Sequence, residues 1–127
     1  MREIRFRGLS DEHVWVYGWF SDDDLSPVII DGMSTRHNVL SKTVGQYTGK
    51  KDVNKKEIFE GDVVYFIDDR AHERIGVIKW HEKMCCWIID CGEAGRDMLA
   101  YYCLLEKPCI VIGNIWEDEN DADRDGE

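Results

Sequence analysis

Short runs of β-branched and aromatic residues, each closed by a turn-forming cluster, recur every ten to thirteen residues along much of this 127-residue chain. That period accommodates one strand and one tight turn but no helix of ordinary length, so it predicts antiparallel strands in a small barrel or sandwich. The strongest run is Val14-Trp15-Val16-Tyr17-Gly18-Trp19-Phe20. Alternation places Trp15, Tyr17 and Trp19 on one face and Val14, Val16 and Phe20 on the other. A strand apolar on both faces is either covered on both sides or offers one face to a partner.

The remaining runs follow the same logic. Arg2 to Gly8 alternates Ile4 and Phe6 against Glu3, Arg5 and Arg7. Val28–Ile30, Val44–Thr48, Ile58-Phe59, Val63–Ile67, Ile75–Trp80, Cys86–Asp90 and Cys109–Trp116 are further strands, and residues 33–42 form a connection or a short edge strand. Turns fall at Ser21–Asp24, Asp31-Gly32, Asp52–Lys56, Glu60–Asp62 and Asp68–Arg70, with Asn54 the residue best suited to a left-handed position. Met98 to Leu105 fits either a buried strand or a helix of two turns, and Pro108 ends it. Composition agrees with a mainly β chain: Val and Ile number 22 against 10 for Leu and Ala, and β-branched side chains lose χ1 freedom in helices.

The formal charge is −10, from 16 basic and 26 acidic residues. Glu117 to Glu127 alone holds seven acids and one arginine, a net of −6, which leaves −4 on the first 116 residues. A segment so charged and so poor in apolar residues cannot offset the entropy of ordering, so residues 120–127 are expected to be a disordered acidic tail. The apolar fraction of 43% excludes a wholly disordered chain. No uncharged run is long enough to span a membrane, and the charged opening, Met1-Arg2-Glu3-Ile4-Arg5, is unlike a signal peptide, so a cytoplasmic setting is expected.

The five cysteines, Cys85, Cys86, Cys91, Cys103 and Cys109, form no C-x-x-C pair and read as free thiols; neither a metal site nor a cofactor is expected. No phosphate loop, nucleophile elbow, metalloprotease helix or dinucleotide fingerprint occurs, and no catalytic residue is assigned. His13, His37, His72 and His81 lie in or beside expected turns. Cys85-Cys86 stands near His81 and Lys83, but neighbouring strand residues point to opposite faces, so at most one thiol lies on the histidine's side.

Three blocks then carry a family resemblance. Residues 1–8 (MREIRFRG), 44–64 (VGQYTGKKDVNKKEIFEGDVV) and 111–117 (VIGNIWE) resemble, in that order, the opening, central and closing signatures of the YopX-like family of phage and prophage proteins. The likeness brackets residues 1–119 as one β domain. Lys50 and Lys55 depart from it, standing where the family more often has an apolar residue and the glycine of an Asn-Gly turn. The resemblance implies coiled antiparallel sheets closing into a small pseudo-barrel with at most one or two short helices, an oligomeric assembly, a bacterial host cytoplasm, and no established activity. Its signature residues Gln46, Tyr47, Gly49, Gly61, Asp62, Gly113 and Asn114 also have structural readings. The glycines suit positive φ or close backbone approach, Asp62 caps a turn, and the polar side chains satisfy buried groups.

Function divides into three readings that rest on named residues and a fourth, an unrecognised hydrolase, to which no motif assigns residues. A non-enzymatic binding or assembly module would meet a protein partner or a second copy of itself through the Trp15, Tyr17 and Trp19 face. A nucleic-acid-binding barrel would use two basic patches, Arg2, Arg5 and Arg7 on one strand and Lys50, Lys51, Lys55 and Lys56 around the central loop. An acidic decoy would use the tail and the Asp22–Asp24 cluster to occupy a host nucleic-acid-binding protein.

Overall fold

The computed structural model describes residues 4–21, 26–104 and 107–116. The acidic tail at 120–127, the Asp22–Asp24 cluster and Arg2 lie outside the described residues. The chain divides into two compact units, Met1–Gly49 and Lys50–Glu127.

In the first unit, β1 (Phe6–Leu9), β2 (Trp15–Ser21), β3 (Val28–Ile30), β4 (Arg36–Asn38) and β5 (Gly45–Lys51) line up in the order β4-β3-β2-β1-β5, each pair antiparallel. Gly8 lies opposite Val16 and Phe6 opposite Gly18. One face of this sheet buries Val16, Ile29 and Val39, with Phe6, Phe20 and Val44 packed partly against them. Gly18 is required by a close approach, since a Cβ there would stand 2.1 Å from the Ile30 carbonyl oxygen.

The second unit begins at Lys50, within the last residues of β5. β6 (Glu57–Phe59) turns back beside β5, and β7 (Asp62–Ile67), β8 (Glu73–His81), β9 (Cys86–Asp90), β10 (Arg96–Met98) and β11 (Cys109–Asn114) form a sheet ordered β10-β9-β8-β7-β11. A six-residue helix, α1 (Leu99–Leu104), precedes β11. The core here is larger: Ile58, Val64, Phe66, Ile78, Ile89, Leu99, Tyr102, Cys109 and Val111 are all buried. Phe66 meets Tyr102 edge to face at 4.8 Å between ring centroids, a favoured aromatic geometry. β11 carries a bulge between Val111 and Gly113, at the expected Gly113-Asn114 bend.

The mainly β class holds, with one short helix. Both sheets are open, so among the described residues the strands make two antiparallel sheets and no closed barrel. Residues 33–42 supply β4 as a short strand at the edge of its sheet. The ambiguous segment splits, with a strand ending at Met98 and a helix starting at Leu99. Leu99, Tyr102 and Cys103 then face the core at i, i+3 and i+4, one helix face.

Four hairpins share one loop geometry. In each, the first residue accepts from the amide of the residue three positions on, and that residue is left-handed without being glycine: Ser10 with His13, Asp31 with Ser34, Asp52 with Lys55, Asp68 with Ala71. In the three aspartate loops the Oδ1 atom accepts two further amides, at i+2 and i+4. This is the three-residue hairpin in which a turn is followed by a left-handed residue, the aspartate replacing the stabilisation a glycine would give. It corrects the expectation for Asn54. That residue donates its amide to Asp52, and the left-handed position falls on Lys55, with φ of 66°. Lys55 is the residue standing where the resembled family more often has glycine.

Candidate functional site

The second unit contains a cleft of about 380 Å³ lined by Lys51, Asp52, Val53, Lys55, Tyr102, Cys103, Lys107 and Cys109. Its parts come from three places in the chain: the β5–β6 hairpin, the face of α1, and the entry into β11. Asp52 fixes the first of these. Its Oδ1 accepts the amides of Asn54 and Lys56 at 2.9 Å each, and its Oδ2 accepts the amide of Val111, also at 2.9 Å. The Val53 amide donates in turn to the Cys109 carbonyl at 3.2 Å. The hairpin is thereby tied to β11.

Lys107 closes another side. Its Nζ lies 2.7 Å from Asp69 Oδ1 and 4.8 Å from the centre of the Tyr101 ring, and Tyr101 donates its hydroxyl to the same Asp69 oxygen at 2.6 Å. These contacts, Asp69 first, hold the Lys107 ammonium above its ordinary range and the Asp69 carboxyl below its own. Both groups stay charged across the neutral range.

The two thiols of the cleft are poor nucleophiles. Burial pushes the Cys103 thiol up and the Cys109 thiol up to about 12, so both are protonated at neutral pH. The Cys103 thiol also approaches the Lys51 carbonyl at 3.8 Å. Ammonium groups beside two protonated thiols suit binding an anion more than nucleophilic attack.

The aromatic run behaves differently along its length. Trp15 is half-buried beneath the Arg7 guanidinium, 4.5 Å from the ring centroid. Tyr17 is 43% exposed and Trp19 66% exposed. Val16, on the opposite face, enters the core. β2 is thus covered on one side and presents aromatic surface on the other.

The first basic patch is largely consumed by stacking. Arg7 is only 6% exposed, and Arg5 stacks over Tyr47 at 5.2 Å, both cation–π contacts. Around the central loop, Lys51 and Lys55 reach the cleft while Lys50 and Lys56 do not line it. The sequence does not signal Lys107, because nothing local marks a lysine just before Pro108 as a neighbour of the 51–55 loop.

The family-signature residues do not gather into one pocket. Asp62 and Asn114 are buried and stand directly opposite one another in the β7–β11 pair. Asp62 Oδ2 accepts the Phe59 amide at 2.8 Å, Asn114 Oδ1 accepts the Trp116 amide at 2.9 Å, and the Ile115 amide reaches the Gly61 carbonyl at 3.0 Å. Gly61 and Gly49 have φ of 90° and 83°. Gln46 and Tyr47 lie in β5, the former opposite Phe6, and the Tyr47 amide donates to the Arg5 carbonyl at 2.7 Å.

Cys85 sits in the β8–β9 turn with φ of 51°, whereas Cys86 opens β9 directly opposite His81. His81 Nδ1 accepts the Met84 amide at 3.1 Å, an ordering role for the turn. His37 lies in β4 and contacts Asp31 Oδ2 at 2.8 Å. Among the described residues no group of three His, Cys, Asp or Glu side chains is placed to hold a metal ion. Among them, too, no helix is long and apolar enough to cross a membrane.

Fold and site together define a mainly β protein of two open antiparallel sheets whose central signature forms the β5–β6 hairpin and the wall of a lysine-rimmed cleft. The family model described as YopX protein matches residues 6–120. The chain therefore belongs to the YopX protein family, as the three sequence blocks imply. No curated protein matches the chain.

Proposed function

We propose that this protein is a non-enzymatic binding or assembly module, phage- or prophage-encoded and acting in the bacterial cytoplasm, that engages a protein partner or a second copy of itself through the outer face of β2. What supports this reading is the exposure of Tyr17 and Trp19 on a strand flanked by β1 and β3. Tyr and Trp are the side chains that anchor protein interfaces, and their exposed area is apolar surface that a partner would remove from water. The net charge of −4 on the first 116 residues also suits a protein partner better than nucleic acid, whose binding depends on neutralising phosphates.

Sedimentation at several concentrations, combined with affinity capture from infected or lysogenic cells with and without nuclease, tests it. Complexes that resist nuclease and vanish in a Tyr17→Ala, Trp19→Ala variant are expected. A strict monomer that captures nothing would overturn the reading. Nuclease-sensitive capture would favour the nucleic-acid reading through the Lys50 to Lys56 loop, and capture abolished by deleting residues 117–127 would favour the decoy.

A further inference from the structure

The cleft of the second unit has a charge that the chain as a whole would not suggest. Among the described residues three lysines and one aspartate line it, a net of +2 in a chain of −10. The aspartate is already committed, because both Asp52 oxygens accept backbone amides. Lys107 is paired with Asp69. Lys51 and Lys55 are exposed, and their side chains make no hydrogen bond or ion pair among the described residues. Their backbones are nonetheless fixed, Lys51 as the last residue of β5 and Lys55 at the left-handed position of the Asp52 hairpin.

We propose that this cleft binds a small organic phosphate monoester of nucleoside monophosphate size, with Lys51 and Lys55 taking the phosphate and Val53 and Cys103 meeting the organic part. A phosphate monoester carries about −1.5 to −2 charges at neutral pH, which matches two ammonium groups, whereas a single carboxylate leaves one unmatched. Small-molecule sites run from roughly 300 to 1,000 Å³. At about 380 Å³ the cleft is at the small end of that range, suited to one nucleotide-sized molecule. This proposal is independent of the β2 face, which lies in the other unit.

Calorimetric titration of the full chain with AMP, adenosine, inorganic phosphate and a single-stranded oligonucleotide tests it. AMP should bind, with adenosine and inorganic phosphate each at least about tenfold weaker, the loss expected for removing one good charge-assisted contact or the apolar part. A Lys51→Gln, Lys55→Gln variant with an unchanged circular dichroism spectrum should lose at least about tenfold in AMP affinity, and Lys56→Gln should stay within about twofold of wild type. Absence of AMP binding at millimolar concentration, equal binding of adenosine or of inorganic phosphate, an undiminished double variant, or an equal loss with Lys56→Gln would each overturn the proposal. So would an oligonucleotide that binds more tightly than AMP with a salt dependence exceeding two released counterions, which would make the cleft a nucleic-acid contact.

Discussion

The two units use the same hairpin device and differ in how much they bury with it. The first has a core cluster built on Val16, Ile29 and Val39, and keeps Tyr17 and Trp19 partly exposed. The second has a larger cluster that includes Ile58, Phe66, Ile78, Ile89 and Leu99, with a helix laid against its sheet. Both units keep large apolar side chains exposed, Trp19 at 66% in the first and Ile75 at 60% in the second, so the cores differ more than the exposed apolar surfaces do. The larger core supports a concave site whose side chains come from distant parts of the chain. The contrast assigns different kinds of surface to the two units: a flat aromatic face on one and a charged cleft on the other.

The contrast can be broken first at the cores. Phe66→Ala, which also removes the Tyr102 ring contact, should cost about 3–5 kcal/mol in urea unfolding. Ile29→Ala should cost about 2–3 kcal/mol, because a smaller cluster collapses more readily onto the space left. Native-state amide exchange sharpens the comparison: Phe66→Ala should speed exchange in β7 to β9, and an equal acceleration in β1 to β3 would show that the two cores open as one. Next in size is the buried cap of the β6–β7 turn. Asp62→Ala removes the carboxylate that accepts the Phe59 amide and should lower stability by about 1–3 kcal/mol.

Acid should act through the hairpin aspartates. The His72 amide, Arg74 and the Arg70 amide hold the Asp68 carboxyl down at about 2, and the His37 contact holds Asp31 below its ordinary value. A carboxyl depressed in the folded state stabilises fully above its unfolded pKa of about 3.9, and that contribution disappears as pH falls toward 2. Asp68→Asn should therefore flatten the fall in melting temperature between about pH 4 and 2 while leaving part of the slope to Asp31 and Asp69. The smallest effect expected is a gain. Ala71, left-handed at φ of 64°, should accept glycine with about 0.5 kcal/mol of added stability, the relief of steric strain exceeding the entropy glycine adds to the unfolded chain.

Much of the fold was readable because alternation and turn residues act locally. Val28–Ile30 and Cys86–Asp90 are strands as expected, and the strand class of the whole chain follows from its Val and Ile content. The left-handed residue was misplaced because Asn54 has the intrinsic preference, while the Asp52 carboxylate dictates the loop and moves the position to Lys55. The 98–105 segment was ambiguous because eight apolar residues carry no period of their own; the i, i+3, i+4 spacing of Leu99, Tyr102 and Cys103 was the signal available. Of the candidate site, Lys51 and Lys55 were visible as a basic loop. Lys107 and the two cleft thiols were not, since only tertiary folding brings them beside it. The arginine patch looked solvated in the sequence, yet Arg7 is buried against Trp15, a pairing that depends on strand register.

The Asp52 hairpin has one more consequence. β11 is the last strand of its sheet, and a terminal strand offers a row of amides and carbonyls on which another chain can add, the usual first step of aggregation. Here the row is interrupted from within: the Val111 amide is held by Asp52, and the Cys109 carbonyl by the Val53 amide. Removing that carboxylate would free the Val111 amide on an edge strand that also carries the exposed Ile112, the kind of edge that natural sheets keep blocked.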